Sequence, residues 1–407
     1  MGSFEKGRLN YRGRVGSGFG EREFAELVPL LVNLTRKTNP FIEVPTEVRN
    51  ARWVTPDLVA EVKFTELTGA GHIRHGTYQA LRRDKPAATI GLDRAKEGSM
   101  TPDGSSASST GKVKGVKITN PARKVFDTPA VTKLQVAEHY AAFGDRMLPF
   151  VRNRPVSLLR CPDGTAGNCF FQKHRGDGMP TAVGTVAISD DEGDADYITL
   201  SSATGLVAAT QMGAIEFHIW GARNTRLEQP DRMVFDLDPD EALPFSAVRS
   251  AAFGLRDRLV DLGLPSAAML SGGKGIHVIV PLRPKAEWET VKLFSRTLAV
   301  MLAEAEPDQF IATMSKAKRK GLIFIDWLRN ERGSTAVAPY SLRARPGAKV
   351  AVPVTWDELA TADAAGNFDI VSVLGRLEQA CPLQEATRAA GVLDRKVLKR
   401  LEKHLPG

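Results

Sequence analysis

The run from Met233 to Leu237 (MVFDL) is almost wholly apolar, and it carries Asp236, with Asp238 two residues further on. On an extended strand, residues i and i+2 point to the same face, so both carboxylates can share one site. Two adjacent anions repel unless a cation lies between them, and hard oxygen ligands of this kind suit magnesium or manganese. The competing reading is a turn, with Asp238-Pro239-Asp240 closing a strand. A second apolar run, Leu322 to Trp327 (LIFIDW), offers a third carboxylate in Asp326. In a buried central strand an unpaired Asp would be costly. Three carboxylates on neighbouring strands can hold two divalent ions about 3.5–4 Å apart, which activate an attacking oxygen and stabilise a leaving one in phosphoryl transfer. The alternative for Asp326 is to cap a strand edge and pair with Arg329.

Between the carboxylates lies Ser271-Gly272-Gly273-Lys274-Gly275-Ile276-His277. Glycines let backbone N–H groups approach phosphate oxygens, while Ser271 and Lys274 add donors and positive charge. No Lys-Ser or Lys-Thr follows the last glycine, so this is not a Walker A loop. Alone it would be only a turn; after a DxD strand and before a third carboxylate it reads as a triphosphate cradle. His218 in IEFHIW alternates with apolar neighbours and can reach phosphates, although a strand histidine is more often structural. Arg343 in YSLR can clamp a phosphate with its planar fork. The loop SKAKRK from Ser315 to Lys320 holds four cations and could follow a phosphate backbone or be merely solvated. Phe170 and Phe171, if exposed, are stacking platforms for bases; if buried, one of them is core.

Strands and helices must position these groups. The segment Lys96 to Gly115 is rich in Ser, Gly and Thr and reads as a flexible linker. Before it, Leu58 to Phe64 and the Gly-punctuated Tyr11 to Phe19 read as short strands, with one helix near Glu21 to Arg36, which suits a small barrel. After it, strands interleave with helices: helices at Lys133 to Met147, Phe245 to Leu262 and Trp288 to Ala305, and strands at Met233 to Leu237, Ala268 to Ser271, Ile276 to Pro281 and Leu322 to Trp327. That is a mixed α/β pattern. The tail from Glu385 to Leu405 reads as a charged helix. The expected division is therefore a front domain over 1–95, a linker over 96–117, a catalytic domain over 118–380 and a charged helical tail over 381–407.

The 407 residues carry a net charge of +8, a field that favours a polyanionic partner or else simply maintains solubility. Three cysteines, Cys161, Cys169 and Cys381, show no zinc-ligand spacing, and their odd number suits no disulfide framework, so a reducing cytoplasm is expected. No apolar run approaches the roughly 20 residues needed to span a bilayer, and the first residues lack the apolar core of a signal peptide. A soluble cytoplasmic, nucleoid-associated protein without membrane contact is the expectation.

The order FDLDP, SGGKGIHV, an apolar strand with one Asp, then APYSLR resembles the polymerase domain of bacterial ligase D, a member of the archaeo-eukaryotic primase superfamily. The resemblance runs from Ile118 to about Leu374. It implies a primase-like catalytic fold with a mixed, largely antiparallel sheet, and addition of nucleotides, ribonucleotides preferred over deoxyribonucleotides, with two manganese or magnesium ions. It also implies work in non-homologous end joining beside the end-binding Ku homodimer. By that resemblance Asp236, Asp238 and Asp326 are metal ligands, and His218, Ser271, Lys274 and Arg343 contact nucleotide phosphates, with His277 from the second motif and Arg160 beside them. At Leu159, before Arg160, some relatives carry a second basic residue. Asn120, Arg123 and Lys133 match a pocket that grips the 5′-phosphate at a DNA gap or overhang, Phe170 and Phe171 match template-stacking aromatics, and Arg319 lies in a loop that holds two ends together.

In the front domain, GRVGSGF from Gly13, ARWV from Ala51 and LRRDKP from Leu81 resemble the C-terminal oligonucleotide-binding (OB-fold) barrel of ATP-dependent DNA ligases. No Lys-x-Asp-Gly is present to accept AMP, so ligation by this chain alone is not expected, and a separately encoded ligase is an implied partner. Two alternatives stay open: a DxD phosphohydrolase, although Pro239-Asp240 replaces the small polar residue those enzymes carry, and a catalytically silent scaffold that binds DNA ends.

Overall fold

The structure is a computed structural model that describes residues 111–176, 178–190 and 193–403, and nearer the N-terminus residues 1–5, 8–17, 21–42, 51–63, 66–67, 72–74, 76–82 and 87. The chain divides into two compact units, Met1–Ser106 and Ala107–Gly407. In the front unit the described strands are short. Val15–Ser17, Gly76–Arg82 and Val59–Lys63 make a three-stranded sheet, and Gly2–Glu5 pairs with Arg8–Tyr11. The expected helix is present as Glu21–Asn33. These described strands alone do not close a barrel; Gly18, Phe19, Phe64 and Arg83–Pro86 of the front motifs lie outside the described residues, as does the expected linker up to residue 110. The end of that expected linker is structured, because Gly111–Val113 pairs with Val116–Ile118 as a hairpin.

Two sheets carry the rear unit. One contains β1 (Val156–Arg160), β2 (Phe170–Gln172), β3 (Ala214–Trp220) and β9 (Thr335–Val337), in the antiparallel order β2-β1-β3-β9. The other contains β4 (Arg232–Pro239), β5 (Ala267–Leu270), β6 (Ile276–Pro281), β7 (Phe310–Ile311), β8 (Ile323–Asp326) and β10 (Val352–Val354). Its order is β7-β8-β4-β6-β5-β10, and only the β7–β8 pair is parallel. The expected mixed, largely antiparallel architecture is what forms.

Helix α1 (Lys133–Val151) starts at a capping box, in which the Thr132 hydroxyl accepts from the Gln135 N–H and the Gln135 side chain accepts from the Thr132 N–H. It covers the first sheet. Every residue of β3 is buried, so alternation decides which face each side chain serves. Phe217 packs edge-on against Tyr140 of α1 with ring centroids 4.6 Å apart, and the Tyr140 hydroxyl donates to the Ile215 carbonyl. Glu216 and His218 point to the opposite face. The helices Phe245–Asp261 and Trp288–Ala305 flank the second sheet close to their expected spans. The tail forms two helices, Pro382–Arg388 and Arg395–Glu402, whose Leu383, Val397 and Leu401 are buried in the main core, so its charges line one side of an amphipathic element.

Cys161 and Cys169 form a disulfide, which corrects the expectation of unpaired cysteines. The reason is register. Arg160 pairs with Phe170 across β1 and β2, so the next positions outward, 161 and 169, face each other across the hairpin with Cα atoms 4.3 Å apart. Cys381 remains a buried free thiol. Among the described residues no helix is long and apolar enough to cross a membrane.

Candidate active site

The centre of the second sheet aligns the chemistry. Asp236 of β4 pairs with Asp326 of β8 on one side and with His277 of β6 on the other, so the three side chains form a row across adjacent strands. Asp238 lies two residues along β4 on the same face. Around these carboxylates stand four basic side chains. His277 Nε2 is 3.4 Å from Asp236 Oδ1. Arg329 reaches both Asp236 Oδ2, at 3.4 Å, and Asp326 Oδ2, at 3.0 Å. Lys274 Nζ lies 3.5 Å and Arg319 Nη1 3.6 Å from the two oxygens of Asp238. Both readings of Asp326 therefore meet in one geometry: it accepts from the Leu328 N–H at 3.0 Å and pairs with Arg329, as an edge cap would, and it also faces Asp236.

Burial alone would raise the Asp236 carboxyl, but His277 and Arg329 outweigh it and hold the group far below the usual carboxylate range. At Asp326 burial prevails: it raises the carboxyl against the pull of Arg329, and the charge on Asp236 adds to the rise. Among the described residues no three His, Cys, Asp or Glu side chains gather tightly enough to make a ready-formed metal centre. The donor set nevertheless fits a hard cation, since it is all carboxylate oxygen, and the Arg329 guanidinium bridging Asp236 and Asp326 supplies the positive charge that their opposition demands.

The turn from Ser271 to Gly275 runs from β5 into β6 and brings Lys274 over Asp238. Two of its glycines are needed for close approach. Gly272 has φ +68°, and a Cβ there would meet the Val350 backbone at 2.9 Å; a Cβ on Gly275 would overlap the Leu237 carbonyl of β4. The cleft above is lined by His218, Asp236, Asp238, Ser271, Lys274 and Arg343 among others. His218 and Arg343 are joined by a residue that sequence reasoning passed over. The buried Glu216 carboxylate accepts from His218 Nε2 at 2.8 Å, from Arg343 Nε at 2.9 Å and from the Ala344 N–H at 2.7 Å. Arg343 Nη1 also donates to the Ser271 carbonyl at 2.5 Å. Arg329 and Arg345 complete the basic lining and were likewise not singled out as site residues. The signal for Glu216 was present: it lies two residues before His218 in an otherwise apolar run, the same spacing that marks Asp236 and Asp238.

Not every expected residue enters this cleft. The Arg160 guanidinium donates to the Met212 carbonyl at 3.0 and 2.8 Å and to Gln172 Oε1 at 2.7 Å, and stacks 5.3 Å from the Phe170 ring centroid. β1 shifts register against β3 between Leu159 and Arg160. Phe170 and Phe171 are 47% and 61% exposed, as stacking platforms require, and Phe171 meets His218 edge-on at 5.1 Å. Arg319 lies over the Phe324 ring, 3.6 Å from its centroid, beside Asp238.

A separate basic cluster forms where the loop after Ile118 latches onto the start of α1. Asn120, with φ +51°, lets its carbonyl accept from the Arg123 N–H at 3.0 Å, and the Arg123 carbonyl accepts from the Lys133 N–H at 2.8 Å. Lys133 is only 5% exposed and has no acidic partner among the described residues. Burial, reinforced by Arg123, brings its ammonium down to about 8. Arg123 and Lys133 thus stand together at the N-terminus of α1, with no acidic partner among the described residues, a setting that favours an anion. A larger cavity of about 320 Å³ opens beside Leu262, Leu298 and Leu401, but it is mainly apolar and unlike the carboxylate row in its chemistry.

Comparison with known proteins yields two family models. Residues 132–383 match the primase-polymerase domain of LigD, and residues 1–85 match the C-terminal region of ATP-dependent DNA ligases. The multifunctional non-homologous end joining protein LigD of Pseudomonas aeruginosa is 38% identical over 92% of this chain, which covers 45% of that protein. The protein of the same name from Mycolicibacterium smegmatis is 33% identical over 65% of the chain and 35% of its own length. This chain thus spans less than half the length of these relatives. A solved structure, the polymerase domain from Mycobacterium tuberculosis ligase D in complex with DNA, superposes with a TM-score of 0.63 at 29% identity, over 68% of this chain and 99% of that one.

Proposed function

We infer, from the premise that this chain belongs to the ligase D primase-polymerase family, that it is a nucleotidyltransferase which extends DNA ends or fills gaps during non-homologous end joining. The observation that carries this reading is the row of Asp326 and Asp236, with Asp238 beside them, under a cleft lined by Ser271, Lys274, His218 and Arg343. Asp236, Asp238 and Asp326 would hold divalent magnesium or manganese, which when bound lowers the pKa of an attacking hydroxyl and neutralises a leaving phosphate. Lys274, Arg343 and His218 bind and orient the triphosphate, and Ser271 adds a donor at its edge. Phe170 and Phe171 offer stacking surface for template bases. Arg123 and Lys133, with the Asn120 loop, receive a 5′-phosphate. Arg319 screens Asp238, and the basic loop around it follows a phosphate backbone.

The front unit, through its match to the ligase C-terminal region, is assigned to an oligonucleotide-binding barrel that holds duplex DNA. The Ku homodimer and a separately encoded ligase are the protein partners this role calls for. The deciding experiment is primer extension on gapped DNA with a 5′-phosphate, run with magnesium and manganese and with ribo- and deoxyribonucleotides. Metal-dependent extension is expected; hydrolysis of a small phosphate ester without extension would favour the phosphohydrolase reading, and DNA binding without either activity the scaffold.

A further inference from the structure

We propose that Glu216 is a positioning residue for the nucleotide, a buried carboxylate that holds His218 and Arg343 together and fixes which of their nitrogen atoms face the cleft. The proposal rests on the reading of this cleft as a nucleotide site. Glu216 is 3% exposed and lies in the middle of a fully buried strand. A lone carboxylate there would be costly, yet all three of its partners donate to it: His218 Nε2 and Arg343 Nε to one oxygen, and the Ala344 N–H to the other. Burial works to raise this carboxyl, but His218 and Arg343 outweigh it and keep the group ionised.

The consequence lies in the atoms that remain. Arg343 commits Nε to Glu216 and Nη1 to the Ser271 carbonyl, and His218 commits Nε2 to Glu216. Among the described residues Arg343 Nη2 and His218 Nδ1 have no hydrogen-bond partner, and both side chains line the cleft. Burial favours the neutral His218 ring even beside the carboxylate, so Nε2 carries the proton that Glu216 accepts, and the Arg343 guanidinium supplies the positive charge of the pair. Held by the carboxylate, Arg343 Nη2 and the His218 ring keep fixed places along the cleft, where an incoming polyphosphate meets them. The Ser271 carbonyl ties this unit to the Ser-Gly-Gly-Lys turn, and Phe171 rests on the His218 ring, so the carboxylate couples the phosphate cradle to the exposed aromatic.

Glu216→Gln is the test, because an amide offers one acceptor where three donors converge, and its NH₂ must face either the Ala344 N–H or the His218–Arg343 pair. Binding of a nucleoside triphosphate and of a 5′-phosphorylated gapped duplex would be measured separately, along with extension kinetics, melting temperature and the ¹⁵N signals of the His218 ring. The KM for nucleotide is expected to rise on the order of 10- to 100-fold, the range for losing a charge-assisted hydrogen bond, with a smaller fall in kcat. Binding of the duplex should hold, and the His218 signals should leave the Nε2-protonated pattern. Nucleotide affinity within twofold of the unsubstituted protein would overturn the proposal. So would a parallel loss of nucleotide and duplex binding with a collapsed melting transition, since that marks a purely structural role. If the unsubstituted protein binds no triphosphate, the nucleotide reading of the cleft fails first, a result distinct from either.

Discussion

Asp236 and Asp326 stand directly opposite each other on adjacent antiparallel strands, and the Arg329 guanidinium touches both. Like charges facing each other across a sheet destabilise it, so this pairing survives only with positive charge between them. The sheet is built around an electrostatic demand that an arginine meets incompletely, and that a small divalent ion with several carboxylate ligands would meet more fully.

Asp236→Asn and Asp238→Ala should each reduce primer extension by at least about 10³-fold, the scale on which electrostatic stabilisation of a charged transition state acts. Binding to 5′-phosphorylated DNA should persist, because that contact is assigned to the Lys133 cluster. Extension by either purified variant at the unsubstituted rate would remove the metal assignment.

Arg329→Ala separates the arginine from the ion. In chelator the variant leaves the two facing carboxylates without their shared cation, with only His277 still beside Asp236. With a discount for the partial exposure of Arg329, the loss should be about 1–2 kcal/mol. That corresponds to a melting temperature lower by roughly 2–8 °C. Saturating manganese should close most of that gap by binding the folded state. Calorimetry with and without metal checks this, and an equal deficit in both conditions would mean that no ion takes the place of the guanidinium.

Lys133 yields a pH dependence. Its folded-state pKa, brought down to about 8 by burial and by Arg123, lies below the unfolded value. The buried ammonium therefore costs stability below about pH 8, and this cost is relieved as pH rises through the folded value. Phosphate recognition runs the other way, since it needs the cation. The preference for 5′-phosphorylated over unphosphorylated gaps should be steady from about pH 7 to 8 and then fall by up to ~10-fold per unit. Lys133→Ala should weaken the preference, since Arg123 remains, and abolish its pH dependence. Equal loss on the two kinds of end would refute the assignment.

Periodicity made most of this architecture legible. The i, i+2 spacing of Asp236 and Asp238, the apolar strand around Asp326 and the helix Trp288–Ala305 are local patterns, and all of them form. What sequence reading missed depends on contacts between segments. Cys161 meets Cys169 only because of the β1–β2 register. Arg160 is held by the Met212 carbonyl and by Gln172, contacts between segments that no local pattern announces. Arg329 reaches back 93 positions to Asp236, while also holding the nearby Asp326, only because β8 pairs with β4. Glu216 was legible in principle, as a charge inside a strand too apolar to tolerate one unpaired.

Phe171 tests the template reading without disturbing the fold. At 61% exposure it contributes little to the core, and its ring rests edge-on against His218. Phe171→Ala should leave the melting temperature nearly unchanged, because surface substitutions usually alter stability by no more than about 0.5 kcal/mol. Binding to a duplex with a single-stranded overhang should weaken by about 1–3 kcal/mol, the value of one base–aromatic stack, or roughly 5- to 150-fold. A blunt duplex offers no unstacked template base, so its binding should be almost unaffected. Fluorescence anisotropy on the two substrates makes the comparison. If both weaken equally, Phe171 contacts duplex or supports His218, and the stacking role assigned to it is lost.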